Sequence, residues 1–169
     1  MARKKWLISY YITLMLFCLV PTGVSAISEG QKLAISENCT SIKESLKKTQ
    51  QMDASTRVFF GNKFETILTK YITPLNVKLV EKNAIPNSAL LENQSNFAEA
   101  KEVFRSDYIR YQQALEELVN IDCKVEPEGF YDKLLIVRER RKLMGQDVEK
   151  LKKLASQNVK LVTELRSGF

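Results

Sequence analysis

The residues that most invite a chemical interpretation are cationic and crowd one stretch near the C-terminus. They are Arg138, Arg140, Arg141, Lys142, Lys150, Lys152 and Lys153. Such a cluster could bind the phosphate or carboxylate groups of an anionic polymer or lipid. Acidic residues interleave with it and dilute its field, so a solvated helix face is the alternative, with Arg141 snorkelling from an apolar seam.

Acid–base and metal chemistry have little support in the sequence. The 169 residues contain no histidine, which removes the usual general base near neutral pH and the commonest zinc ligand. Carboxylates cluster at Glu126, Glu128 and Asp132, but a helix start explains them, because acidic side chains favour the positive end of the helix dipole. We therefore expect no enzymatic activity, no catalytic residues, no metal and no cofactor.

The first residues have the pattern of a cleavable signal peptide. Arg3, Lys4 and Lys5 precede an apolar run at 6–20, which is shorter than the ~20 residues that span a bilayer comfortably. Small residues at Val24-Ser25-Ala26 then predict cleavage between Ala26 and Ile27. We expect an exported protein, at the cell surface, in the periplasm or outside the cell. An uncleaved membrane anchor is the alternative.

Two cysteines, Cys39 and Cys123, remain after the predicted cleavage, since Cys18 belongs to the signal segment. In an exported chain two thiols favour a disulfide, because a zinc site needs four ligands and no histidine can complete it. Free structural thiols are the alternative.

The charge of the chain belongs partly to the signal segment. The whole chain has a net charge of +6, but three of its 26 cationic residues precede the cleavage point, which leaves 23 against 20 acidic residues, a net +3. This excess is too small to predict nucleic-acid binding. A mild attraction to anionic surfaces remains, and contact with a membrane is expected only through the signal segment.

Long segments rich in Lys, Glu, Leu and Gln, with few glycines and prolines, predict an all-α fold. We expect a short N-terminal segment at 27–37 and a helical bundle at 38–169. The predicted helices cover about 38–82, 88–122 and 127–166. Pro74 should kink or end the first of them. The predicted architecture is an elongated antiparallel three-helix bundle, or coiled coil, with one disulfide.

A heptad pattern supports this architecture most clearly in the third helix. Its seam contains Phe130, Leu134, Val137, Met144, Val148, Leu151, Ala155, Val162 and Leu165, with polar Arg141 and Asn158 at two further seam positions. This spacing is typical of a helix that packs along its whole length. Gly145 lies beside the seam and should cost about 1 kcal/mol relative to alanine.

The aromatic side chains of the first two helices also fall at helical spacing. They are Phe59, Phe60, Phe64, Tyr71, Phe97, Phe104, Tyr108 and Tyr111. Such spacing favours a helix core over a ligand groove. The first helix is less regular than the second, because its seam breaks at Asp53–Thr56. A disulfide between Cys39 and Cys123 would close the open end of the hairpin that these two helices form, far from its turn at 83–87.

Three segments carry a family resemblance: ETILTKYITPLN (65–76), ENQSNF (92–97) and ALEELVNIDCK (114–124). They are similar to segments of small exported helical proteins of candidate-phylum bacteria of the Saccharibacteria type. The resemblance implies a bacterial exported protein and no particular activity. The overall architecture also looks like that of periplasmic chaperones of the Skp kind, although no motif is shared.

These observations lead to a functional expectation. We expect a non-enzymatic interaction or scaffold protein of the cell envelope or extracellular space, which engages a protein partner or itself through coiled-coil surfaces. Two alternatives remain open: a holdase-type extracytoplasmic chaperone, and a binder of anionic cell-surface polymer or lipid through the cationic stretch.

Overall fold

The computed structural model describes residues 27–81 and 88–167, and every regular element in these ranges is helical. In chain order they are α1 (Glu29–Glu37), α2 (Cys39–Thr66), a π-helical segment (Ile67–Ile72), α3 (Thr73–Glu81), α4 (Ser88–Asn120) and α5 (Pro127–Ser167). The expected all-α class is confirmed for this part of the chain. The predicted signal peptide with its cleavage residue Ala26, and the predicted turn at 83–87, lie outside the described residues.

The N-terminal segment 27–37, which we expected to precede the helical bundle, contains a helix of its own. A capping box starts α1: the backbone N–H of Gln31 donates to Ser28 Oγ, and the backbone N–H of Ser28 donates to Gln31 Oε1 over 3.0 Å. The helix contacts α2 and α5, and Lys32 Nζ lies 3.3 Å from Glu128 Oε2. This segment therefore packs beside the start of α5.

The chain between α2 and α3 stays helical but changes its pitch before Pro74. The π-helical segment occupies Ile67–Ile72, and the backbone N–H of Thr73 donates to the carbonyl of Leu68. Proline lacks an N–H, and its ring clashes with the carbonyl four residues earlier. The wider π turn offers one way to accommodate that ring, so the helix resumes as α3 instead of ending.

This change of pitch explains one wrong expectation about the core. We placed Tyr71 on the seam of the first helix, but its side chain is 66% exposed, whereas Ile72 is 2% exposed. A π turn contains an extra residue, which rotates the following side chains around the helix axis. Phe59 was also expected in the core and is instead exposed, because its neighbour Phe60 occupies the inward position.

Helices α4 and α5 form an antiparallel hairpin with the most extensive helix–helix contact of the described residues. Their connection is short, and the Asp122 carboxylate accepts a hydrogen bond from the backbone N–H of Lys124 within it. Phe130, Val137 and Leu151 of the predicted α5 seam are buried. The polar seam residue Asn158 is buried as well.

A disulfide joins Cys39, the first residue of α2, to Cys123, in the connection between α4 and α5. The two Cα atoms lie 5.5 Å apart, and both side chains are buried. The predicted disulfide is thus present. It ties the start of α2 to the connected ends of α4 and α5.

The core consists of two clusters along the helices. One surrounds the disulfide and includes Tyr111, Leu115 and Phe130. The other is aromatic and contains Phe64 with its ring edge-on to those of Phe97 and Phe104, each at 6.1 Å between centroids. Side chains of both clusters line the cleft described next.

Candidate functional site

An open cleft of about 610 Å³ lies between α2, α4 and α5, where the two core clusters meet. Its apolar lining consists of Phe60, Phe104, Tyr108, Met144 and Val148. Volumes of roughly 300–1,000 Å³ with mainly apolar walls and a few polar groups are typical of ligand sites. We refer to this feature as the cationic cleft, because of the side chains at its rim.

Five cationic side chains line the cationic cleft: Arg57, Arg138, Arg141, Lys142 and Lys152. Four of them belong to the cationic stretch identified in the sequence, and Arg57 comes from α2. Arg141, Lys142 and Lys152 follow Arg138 by three, four and fourteen residues, spacings that place the four on one face of α5. The other three members of that stretch, Arg140, Lys150 and Lys153, are not among the lining residues.

A polar network crosses the helices beside the cleft and centres on Asp53 of α2. Arg141 of α5 binds its carboxylate through two nitrogens, with Nε donating to Oδ2 and Nη2 donating to Oδ1, both over 2.9 Å. The Tyr111 hydroxyl of α4 donates to Oδ2 over 2.6 Å. One carboxylate therefore links all three helices.

The network sets the protonation behaviour of its members. Burial, followed by the hydrogen bond to Asp53, raises the pKa of the Tyr111 hydroxyl far above its usual range. The hydrogen bonds to Asp53 also raise the pKa of the Arg141 guanidinium. Tyr111 consequently stays a neutral donor and Arg141 stays cationic near neutral pH.

The cations of the cleft differ in how far the protein already neutralises them. Lys142 lies 3.5 Å from Glu139, and Lys152 lies 2.6 Å from Glu149. Arg57 stacks on the Tyr108 ring at 4.7 Å from its centroid. Within the described residues neither Arg57 nor Arg138 forms a salt bridge. These two guanidinium groups are the cations best able to receive an external anion.

Gly145 lines the cleft in the middle of α5. A Cβ atom built on it would meet no other atom within 4 Å. Close packing therefore does not explain the glycine, although glycine costs a helix interior about 1 kcal/mol relative to alanine. Its lack of a side chain keeps this part of the cleft open.

Several carboxylates outside the cleft are paired with cations in the described residues. Glu117 pairs with Lys133, and Glu128 pairs with Lys32. No three His, Cys, Asp or Glu side chains of residues 27–81 and 88–167 come together as a metal ion would require. One like-charged pair stands apart: burial and then the nearby Asp107 carboxylate raise the pKa of Asp147.

The sequence contains a signal for the Asp53 network, but the pattern of any single helix does not show it. Asp53 stands where the seam of the first helix breaks, and Arg141 is a polar residue on the seam of the third. The disulfide and the α4–α5 connection fix the register of the three helices. In that register Asp53 and Arg141 lie at the same level along the helices. Arg57 has no comparable signal in the sequence.

Comparisons with protein-family models, with curated proteins and with solved structures found no match. The family resemblance described above accordingly stays a prediction. No helix of the described residues has both the length and the apolar character needed to cross a bilayer.

Proposed function

We propose that the protein is an exported, non-enzymatic binding protein of the cell envelope or extracellular space, and that it engages an anionic partner through the cationic cleft. The observation that carries this proposal is the presence of five cationic side chains around an apolar lining. Arg57 and Arg138, which make no salt bridge in the described part of the chain, supply the charge for the partner. Guanidinium groups suit this role, because they bind phosphate and carboxylate with paired hydrogen bonds.

The chemistry of the cleft favours binding over catalysis. Its two carboxylates are those of Asp53, which is held by Arg141 and Tyr111, and Glu149, which pairs with Lys152. General acid–base catalysis needs groups whose pKa values are tuned towards the working pH. Carboxylates already committed to cations are poorly suited to that work.

Export is part of the proposal, with a cleaved signal peptide at 1–26. The buried disulfide supports it, because disulfides persist in oxidising compartments outside the cytoplasm. Expression of the full chain in a secreting bacterium, followed by mass measurement of the product, tests it. We expect a mature protein that begins at Ile27. Retention of Arg3–Lys5 in the product would instead support an anchored protein.

We further propose that the helices form an elongated antiparallel three-helix bundle, a scaffold that can also present its outer faces to a protein partner. The links from Asp53 to both α4 and α5 support this arrangement. Exposed apolar side chains on those faces, including Leu135, Ile136 and Leu143, favour self-association or a partner. Sedimentation velocity of the mature protein would detect a dimer, and its frictional ratio would report the elongation.

The central experiment measures binding of the mature protein to anionic targets at low and high salt. The targets are polyglycerol phosphate and phosphatidylcholine vesicles with or without phosphatidylglycerol. We expect binding to at least one anionic target, weakened by salt because charge contacts are screened. The double variant Arg57→Gln/Arg138→Gln should lose this binding. The matched control, Arg140→Gln/Lys153→Gln, removes the same charge outside the cleft and should keep it.

Two results of this experiment would reject the proposal. One is a complete lack of binding to both anionic targets. The other is an equal loss in the cleft variant and the control variant, which would indicate diffuse attraction to the whole basic surface.

A holdase-type chaperone is the second candidate, and the apolar lining of the cleft favours it. A holdase would suppress aggregation of an unfolded client at stoichiometric amounts, and it would do so at high salt, because apolar contacts are not screened. Failure to suppress aggregation under these conditions would reject this candidate and leave the first one untouched.

A further inference from the structure

We infer that the ligand of the cationic cleft is a single-chain amphiphile with an anionic head group, such as an alkyl phosphate or a fatty acid. This inference rests on the proposed function and specifies the ligand class. A purely charged polymer would contact the cationic side chains at the rim and would not contact the apolar lining. An amphiphile would contact the cationic side chains with its head group and the apolar lining with its hydrocarbon chain.

The apolar lining is continuous with the protein core. Phe104 and Tyr108 are almost fully buried members of the two core clusters. Phe60, Met144 and Val148 pack partly buried against those clusters. The floor is therefore fixed by packing, and a hydrocarbon chain placed on it would gain affinity through the water that it excludes from both surfaces.

Two of the five cations that line the cleft are left for an anionic head group. Arg141, Lys142 and Lys152 already have carboxylate partners within the protein. Arg57 and Arg138 have none in the described ranges, and they come from two different helices that border the cleft. A head group with more than one oxygen can accept hydrogen bonds from both guanidinium groups, which fixes the position of the chain below it.

Gly145 provides the space that the chain needs. A side chain at this position would occupy open space beside the cleft, because Gly145 is one of its lining residues and nothing lies within 4 Å of its Cβ position. The volume of about 610 Å³ suits one chain. This predicts that filling the glycine position weakens binding while leaving the helix intact.

The test is calorimetric titration of the mature protein with methyl, octyl, decyl and dodecyl phosphate below their micelle concentrations. We expect affinity to rise about three- to fourfold for each added methylene, until the cleft is filled. Dodecyl phosphate and laurate should both bind. Dodecyltrimethylammonium, which has the same chain and a cationic head, should bind at least tenfold more weakly than dodecyl phosphate.

Four variants locate the binding. Arg138→Gln and Gly145→Leu should each weaken dodecyl phosphate binding by about tenfold, because each removes one half of the recognition. Arg140→Gln and Gly30→Leu are the matched controls, with the same changes outside the cleft, and should leave the affinity unchanged. Circular dichroism verifies that Gly145→Leu stays folded, and Gly145→Ala serves as a milder version of it.

The outcomes separate this inference from the proposed function. If dodecyl phosphate binds no more tightly than methyl phosphate, or if Gly145→Leu and Gly30→Leu behave alike, the inference is overturned. If polyglycerol phosphate binds in the same protein while the alkyl phosphates do not, the inference falls and the proposed function stands. If no anion of either kind binds, both fall.

Discussion

Asp53 has a central position among the polar side chains because it accepts three hydrogen bonds from the side chains of two other helices. Its carboxylate is 11% exposed, whereas the Arg141 side chain is 54% exposed. A nearly buried carboxylate without its cation would keep the cost of desolvation and lose the compensating attraction. The pair therefore contributes mainly by preventing an uncompensated charge between the helices.

Replacing Arg141 with glutamine should destabilise the protein by about 1–2 kcal/mol, since the hydrogen bonds to Asp53 are charged but the guanidinium is half exposed. Urea unfolding followed by circular dichroism measures the change. Lys153→Gln, on the same helix and without an ion pair in the described residues, should stay within about 0.5 kcal/mol of the wild type. A wild-type unfolding midpoint in Arg141→Gln would show that the pair adds nothing.

The raised pKa of Asp147 predicts that its contribution to protein stability falls as pH rises. A carboxylate paired with a cation has the opposite effect. Burial, followed by the charge of the Asp107 carboxylate and the hydrogen bond with it, raises the pKa of Asp147 above the usual 3.8, with Lys150 opposing. The folded state then binds the proton more tightly than the unfolded state, so this group destabilises the protein as pH rises through its folded pKa.

The variant Asp147→Asn should consequently have a higher melting temperature than the wild type at pH 7. The difference should shrink as pH falls through the raised pKa towards the unfolded value, where wild-type Asp147 becomes neutral too. Glu149→Gln is a control two residues farther along α5, because the Glu149 carboxylate is exposed beside Lys152. A gain in melting temperature that is the same at pH 4 and pH 7 would contradict the assignment.

The residues of the site were only partly predictable from sequence. Spacing along one helix is enough to place Arg138, Arg141, Lys142 and Lys152 on a common face. Arg57 and Asp53 belong to a different helix, and their proximity depends on the register between helices. A single helix pattern does not contain that register, so these two residues were missed.

At the scale of the elements, the predictability of each helix follows the regularity of its backbone. The α5 seam placed Phe130, Val137 and Leu151 in the core because the 3.6-residue period continues through them. The first helix contains a π turn, which breaks the period near Tyr71. Pro74 was the sequence signal for an irregularity, but it did not specify whether the helix would bend, end or widen.

The π segment makes a prediction about two adjacent residues. Ile72→Ala should destabilise the protein by about 2–5 kcal/mol, because Ile72 is a buried member of the aromatic cluster. Tyr71→Ala should change stability by less than about 0.5 kcal/mol, because Tyr71 is exposed. Chemical denaturation of both variants tests this. An uninterrupted α-helical register, with Tyr71 inside, would give the reverse order.

At the scale of the whole molecule, the disulfide determines how α2 is attached to the α4–α5 hairpin. The contacts between α2 and α4 are less extensive than those between α4 and α5. A covalent link at the start of α2 limits how far this helix can separate from the hairpin. The sequence predicted the link because exported chains with two cysteines usually join them. The sequence did not predict the helix α1, which packs beside the disulfide.

Replacing both cysteines with alanine should lower the free energy of unfolding by about 4–5 kcal/mol, since the bond closes a loop of 84 residues in the unfolded chain. Thermal unfolding monitored by circular dichroism measures the loss. Wild-type protein under reducing conditions should match the variant, which controls for the substitutions themselves. An unchanged melting temperature in both would show that non-covalent packing alone holds α2 in place.

The most direct test of the central claim is a map of where an anion binds. Amide chemical-shift changes of the mature protein, titrated separately with polyglycerol phosphate and with dodecyl phosphate, provide that map. We predict that the largest changes cluster at Arg57, Arg138 and Gly145 and their neighbours, and that they vanish in Arg57→Gln/Arg138→Gln. Changes centred on Arg140, Lys150 and Lys153 outside the cleft, or no changes with either anion, would contradict the assignment of the cationic cleft as the binding site.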